Sequence, residues 1–245
     1  MPVEVLIVGQ GLAGTLLAWQ LIEQGYRVMV IDDGADNASQ VAAGLINPVT
    51  GLRLLKAADT EILLTAARAL YRQLETSLQQ RFLIEMPMLR VLQSEQQYQF
   101  ACKRRADPAY QALLGDWLPE VAGLLAPFGC LQQQQTAYLR TQAFLADIKQ
   151  YLQARGSYQC CRFDYQELQL QPRLRWRDWQ PQWLVFCEGH QGRFNPWFGK
   201  LPFQVAQGQI LTAETESSVP RQIINYGHWL LPQVGQSFKT GATFD

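Results

Sequence analysis

Apolar residues first gather at Val5-Leu6-Ile7-Val8, a run too short for a helix and suited to a strand buried on both faces. A glycine-rich break follows. Leu16, Leu17 and Leu21 then recur at helical spacing between Leu12 and Gln24, and Gly25 is placed to end that helix. Arg27 to Ile31 reads as a second buried strand that closes on Asp32. Beyond a loop from Gly34 to Gly51, Asp59 or Thr60 can cap a long helix over Glu61 to Leu78. Its expected apolar stripe is Ile62, Ala66, Ala69, Leu70 and Leu74.

Strand-like runs follow at Arg81 to Glu85 and Met88 to Gln93. Residues 94 to 125 read as short helices broken by Pro108, Pro119 and Gly123. Cys130 to Arg140 reads as one strand, its glutamines 132 to 135 polar surface. Thr141 caps an amphipathic helix over Gln142 to Ala154 that Gly156 closes. The strand Tyr158 to Phe163 then suggests a further parallel crossover, whereas Tyr165 to Gln180 and Trp183 to Cys187 suggest antiparallel strands. After the loop Asn195 to Gly199, four more strands are predicted: Gln204 to Ala213, Gln222 to Tyr226, Trp229 to Val234 and Phe238 to Phe244. Parallel crossovers at both ends of a helix-and-strand middle, then a strand-rich tail, imply two interleaved lobes.

The opening unit carries chemistry. Gly9-Gln10-Gly11-Leu12-Ala13-Gly14 joins the first strand to the first helix. In such a turn Gly9 permits the tight bend, Gly11 admits a pyrophosphate close to the backbone, and Gly14 lets helix lie against strand. The helix start offers free N–H groups and partial positive charge to an anion. Asp32 stands where a carboxylate can accept from ribose hydroxyls. A dinucleotide site is the expectation; a βαβ unit that keeps its glycines for packing alone is the other reading.

Composition narrows the partners. The 21 Lys+Arg balance 21 Asp+Glu, so nothing points to nucleic acid or a polyanionic surface. Five cysteines with no metal-like spacing, two of them the adjacent Cys160-Cys161, suggest buried thiols and a reducing compartment. No basic-apolar leader precedes the first strand and no run is long enough to span a bilayer, so a cytoplasmic protein is expected. Oligomeric state and metal ligands leave no trace in the sequence.

Together these segments resemble the D-amino-acid-oxidase-like FAD-dependent oxidoreductases, a superfamily that includes glycine and sarcosine oxidases. The likeness rests on the opening unit and on Ser39 to Pro48, a small-residue loop including Ala42, Ala43, Gly44 and Leu45. It rests also on Val185-Phe186-Cys187-Glu188-Gly189, and on Gly208 to Leu211 with Trp229-Leu230-Leu231-Pro232 and Gly241-Ala242-Thr243. The resemblance implies an α/β fold: a Rossmann-like FAD-binding domain with a parallel sheet (1–80 and 141–190), interleaved with a mostly antiparallel α+β substrate lobe (81–140 and 191–245).

It further implies FAD bound by Gly9, Gly11, Leu12, Ala13, Gly14, Asp32, Asp33, Ala42, Ala43, Gly44, Leu45 and Gly189. The substrate would be a small amine or amino acid that gives hydride to the flavin. Trp229, facing the ring, and Arg53, an anion holder, are the candidate catalytic groups; His190, His228 and Glu188 read as packing or surface residues. Asp33 stands where relatives carry Arg or Lys, and Trp229 and Gln233 where they carry Tyr and Arg. The chain ends at Asp245, short of the family's last strands and helix, so truncation and impaired turnover are expected. A non-catalytic dinucleotide-binding remnant, or an NAD(P)-dependent dehydrogenase, are the alternatives; the Ser39 to Pro48 loop argues against the latter.

Overall fold

A computed structural model describes residues 3–216 and 219–242. They form two compact units, residues 1–42 with 141–205 and residues 43–140 with 206–245. The expected boundaries near 80 and 190 move accordingly. Helix Thr60–Leu78 belongs with the second unit because Leu64 joins the cluster of Val49, Leu92 and Leu131, and Glu75 accepts the amides of Phe82 and Leu83 at 2.7 Å. Residues 191–205 belong with the first, where Asn195 donates to Glu188 at 2.8 Å and Trp197 stacks on Phe186.

In the first unit, β1 (Val5–Val8), α1 (Leu12–Glu23) and β2 (Val28–Asp32) form the opening crossover. The strand Trp183–Phe186 pairs with the outer side of β1 and Tyr158–Cys160 with that of β2, giving a four-stranded, all-parallel sheet. Trp183 to Cys187, expected antiparallel, is therefore corrected to parallel. The strand stands at the edge of the sheet with Trp183 exposed, and its register with β1 alone fixes the direction. Helices α1 and Thr141–Ala154 pack on the sheet and on each other. The side of α1 that is buried holds Thr15, Ala18 and Trp19 rather than Leu16, Leu17 and Leu21, which stay half-buried. The face bearing Leu6, Val8 and Ile31 is covered by Phe163 and Trp176, stacked at 4.7 Å, with Trp179 behind them. Cys160 is exposed and Cys161 half-buried, so only Cys130 fulfils the buried-thiol expectation in full.

The second unit centres on a seven-stranded mixed sheet of neighbouring strands Ile210–Glu214, Ser237–Gly241, Trp229–Pro232, Ile223–Asn225, Met88–Val91, Cys130–Gln133 and Leu114–Leu118. All its pairs are antiparallel except Ile223–Asn225 with Met88–Val91. Thr243 to Asp245, which include the end of the last predicted strand, lie outside the described residues. Leu114–Leu118 is a strand where helix was expected, held by Cys130–Gln133 through a bulge.

The glutamine run splits the predicted strand in two, Cys130–Gln133 and Ala137–Leu139, with Gln135 at a left-handed φ of 56°. Gln134 is exposed as expected, but Gln133 and Gln135 are structural rather than surface filler. Gln133 is buried and donates to the Val49 carbonyl at 2.8 Å, and Gln135 joins Arg68 at 2.8 Å. On helix Thr60–Leu78 the buried residues are Thr60, Leu64, Tyr71 and Leu74, and Ile62 is exposed; of the predicted stripe, Leu74 alone is buried. Among the described residues, no helix is long and apolar enough to cross a membrane.

Candidate functional site

Backbone contact dictates two of the three glycines in the opening turn. Gly9 sits at φ +102°, and a Cβ there would lie 2.4 Å from the Cys187 carbonyl oxygen. A Cβ on Gly14 would stand 2.0 Å from the Gly9 oxygen, so any side chain would lever α1 off β1. Gly11 differs. Its added Cβ would meet only the Ser39 hydroxyl, at 3.1 Å, and its φ of −73° suits any residue. The restraint on Gly11 is therefore space above the helix start.

That helix start is partly dressed. The Leu12 amide donates to Ser39 Oγ at 3.1 Å, while no partner for the Ala13 and Gly14 amides is found among the described residues. Ser39 is delivered by a one-turn helix, α2 (Ala38–Val41), fixed by a capping box in which Asn37 and Gln40 each accept the other's amide. Because Ser39 Oγ accepts from Leu12, its own O–H is free to donate, and the end of α1 presents two amides and a hydroxyl to an anion. Sequence reasoning passed over Ser39; the Asn37-x-x-Gln40 capping spacing was the available signal.

Asp32 is held by its neighbours. One carboxylate oxygen accepts the Gln10 amide and the other the Gly34 amide, both at 2.8 Å. Each oxygen keeps further lone-pair capacity for a hydroxyl. Asp33 is exposed and accepts from the Ala35 amide at 3.0 Å. Gln10 is buried beneath the turn and donates to the Leu145 carbonyl at 2.9 Å, tying the turn to helix Thr141–Ala154. Thr141 secures the same corner, but by donating to the Ala42 carbonyl at 3.0 Å rather than by capping its helix.

Gly189, at φ +55° with open space around its Cα, begins the 3-10 turn after strand Trp183–Phe186. Glu188 beside it is occupied by the Tyr165 hydroxyl, which donates to it, and by the Asn195 amide. Burial first, then the bond to Glu188, pushes the Tyr165 phenol well up. Burial raises the Cys187 thiol too, helped by the Glu188 charge. His190 and His228 are exposed. In the first unit the structure thus brings together Gly9, Gly11, Leu12, Ala13, Gly14 and Asp32, with Ser39 added. These residues fit a dinucleotide: a cradle only glycine can line, anion donors at the helix start, and a fixed carboxylate.

In the second unit Gly44, at φ +70°, abuts strand Ala137–Leu139, where its Cβ would fall 2.1 Å from the Leu139 oxygen. Ala43, Leu45 and Trp229 pack against Met88, Ile223 and Leu231 on one face of the seven-stranded sheet. Arg53 is exposed in a turn, its carbonyl accepting from Arg104 at 3.4 Å, and it has no ion-pair partner among the described residues. Unforeseen was Arg90, a residue 7% exposed whose guanidinium donates to Asn225 Oδ1 at 2.6 Å. Burial lowers its pKa.

A family model described as FAD dependent oxidoreductase (DAO) matches residues 4–244. Among solved structures, the glycine oxidases of Geobacillus kaustophilus and Bacillus cereus ATCC 14579 are similar to this chain. Each superposes with a TM-score of 0.76 at 16% identity, over 99% of this chain and 71% of the other. Iminodiacetate oxidase from Chelativorans sp. BNC1 superposes with a TM-score of 0.70 at 19% identity, over 99% of this chain and 72% of its own.

Proposed function

The chain belongs to the FAD dependent oxidoreductase family, and from that premise we propose that it oxidises a small amine or amino acid. FAD, when bound, would supply the acceptor for the hydride, one proton with two electrons, of the substrate's C–H bond. The chain's own residues bind and orient. Gly9 and Gly14 hold β1 and α1 close enough for the Ala13 and Gly14 amides and the Ser39 hydroxyl to converge on phosphate oxygens. Asp32, immobilised by two backbone amides, accepts from ribose hydroxyls. The observation that carries the reading is this fixed carboxylate beside a helix start that tolerates no side chain at Gly14.

No acid–base pair is needed for hydride transfer beyond removal of the amine proton, so orientation is the protein's main contribution. The similar folds of a glycine oxidase and an iminodiacetate oxidase support a small amino- or imino-acid substrate class. The test is to purify the chain with FAD, then add glycine, D-amino acids and N-methyl amines without oxygen. Bleaching of the yellow flavin band by one of these classes is the expected result. Failure to retain FAD at high micromolar concentration overturns the cofactor assignment, and retention without bleaching by any of them overturns the activity.

A further inference from the structure

One face of the seven-stranded sheet is covered over only part of its width. A row of paired residues crosses six of the strands as Leu211, Thr240, Leu230, Ile224, Leu89 and Gln132. Along it Leu89 and Ile224 are buried, Leu230 and Thr240 half-buried, and Leu211 is 66% exposed. The cover that stops within this row is the segment 119–128, whose Val121, Leu124 and Ala126 pack on a cluster of Leu89, Val91 and Ile224. The opposite face carries the row of Arg90, Asn225 and Trp229.

Where the cover stops, a groove of about 400 Å³ opens, within the size range of small-molecule sites. The sheet contributes Val91, Ile224 and Leu230, and Leu124, Pro127 and Tyr226 stand around them. No charged side chain lines it among the described residues. Side-chain alternation explains this, because Lys239 and Glu214 of the neighbouring strands pair into the rows of the other face. The covering segment is fixed at its end, where Trp117 donates to the Phe128 carbonyl at 3.0 Å. Leu125 lines the groove as well and is 94% exposed.

Two polar side chains border the groove. Gln93 donates through Nε2 to the Tyr226 carbonyl, and its Oε1 has no partner among the described residues. The Tyr226 hydroxyl lies 3.4 Å from Thr240 Oγ1. The groove thus sets an amide acceptor beside an apolar wall. A second copy of the chain is a poor match for it. The strands beyond the cover, Trp229–Pro232, Ser237–Gly241 and Ile210–Glu214, span about 14 Å by 17 Å, or about 240 Å². A stable interface takes about 800 Å² from each partner. An ion entering the groove would lose hydration with no charge to pair it.

We propose that this groove binds a neutral aromatic ring bearing one N–H or O–H donor, with the ring against Leu124, Ile224 and Leu230 and the donor on Gln93 Oε1. A rigid ring loses less conformational freedom than a flexible chain of equal area, and Tyr226 gives it an aromatic neighbour. None of these residues belongs to the dinucleotide turn, so the inference stands apart from the oxidoreductase reading.

The test titrates indole into the FAD-treated full chain by calorimetry and ligand-observed NMR. Beside it run 1-methylindole, which lacks the donor, indole-2-carboxylate, an anion on the same frame, and 1-octanol, a flexible chain. Indole should bind saturably with a Kd of about 1 mM or tighter. 1-Methylindole should bind at least about fivefold more weakly, as the loss of one hydrogen bond predicts, and indole-2-carboxylate should not bind. Leu124→Trp fills the groove from the covering segment and should abolish indole binding with FAD retention unchanged. Gln93→Met keeps the length and loses the acceptor, so indole and 1-methylindole should bind it alike. Should Leu124→Trp not fold, Gln93→Met decides by itself, and a preference for indole that survives it overturns the assignment. Undiminished indole binding by Leu124→Trp, indole-2-carboxylate bound as tightly as indole, or 1-octanol bound more tightly, overturns it too. So does the absence of saturable indole binding at several millimolar. A chain that sediments as a dimer, and as a monomer after Leu125→Lys, gives the face to a second copy and overturns the ligand site.

Discussion

The turn Gly9–Gly14 and the loop Ala42–Leu45 are both built of small residues, yet the two are small for different reasons. In the first, the Gly9 carbonyl blocks a Cβ on Gly14 from within the same crossover, while Gly9 itself is blocked from afar by the Cys187 carbonyl, just past strand Trp183–Phe186. In the second, Gly44 is blocked by Leu139, nearly a hundred residues away, across an antiparallel pair. The constraint on Gly14 is therefore written into a short window of sequence and has a readable spacing. The second has no local signature, because its cause is a distant backbone.

The largest expected effects test that difference. Gly14→Ala and Gly44→Ala each place a carbon within about 2 Å of a carbonyl oxygen that cannot move without its strand. Each should cost about 4 kcal/mol or more, the range reserved for forced backbone displacement, read from urea unfolding. Gly14→Ala should also abolish FAD retention, whereas Gly44→Ala should act on stability first. Gly25→Ala calibrates the series, since its φ of +89° is strained but its surroundings are open. It should cost only about 1 kcal/mol. If Gly14→Ala proves as mild as Gly25→Ala, close packing does not explain the turn.

A middle tier separates anion binding from packing. Asp32→Asn replaces one acceptor oxygen by an amide that must face the Gln10 or the Gly34 N–H. A loss of about 1–3 kcal/mol in stability is expected, with weaker FAD binding in proportion. Ser39→Ala removes only the acceptor for the Leu12 amide, worth about 1 kcal/mol as a helix cap. Should Ser39→Ala leave stability unchanged but weaken FAD binding, the hydroxyl serves the phosphate more than the helix.

How far the sequence revealed all this follows from the range of the forces involved. The crossover Val5 to Asp32 was legible because strand, turn, helix and acid are contiguous and each spacing has a local mechanical reason. The direction of Trp183–Phe186 was not, since its apolar run suits either direction and only its partner β1 decides. Helix Thr60–Leu78 was found but its buried face was turned, because its neighbours Val49 and Leu92 were unknown. Arg90 was invisible for the same reason. Arg90 stands in an apolar strand and reads as an ordinary polar position until the row through Asn225 and Trp229 is assembled.

The smallest effect concerns the segment that follows strand Trp183–Phe186. Tyr165 donates to Glu188, which also accepts from Asn195, and Asn195 in turn accepts the amides of Trp197 and Phe198 at 3.0 and 3.2 Å. Burial and the Glu188 bond hold the Tyr165 phenol above its ordinary value of 10.0, so the folded chain keeps this proton after the unfolded chain has begun to lose it. Above about pH 10 the unfolded state then binds fewer protons than the folded one, and stability must fall as pH rises. The contribution is whole below that pH. Tyr165→Phe removes the bond and the titration together. It should be less stable by about 1 kcal/mol at pH 7, yet lose less between pH 10 and 11 than the natural chain, so the two unfolding curves converge. Tyr158 and Cys187, also raised by burial, titrate in both proteins and cancel in the difference. Parallel curves would mean that Glu188 is held by Asn195 alone, and that this segment is fixed without the phenol.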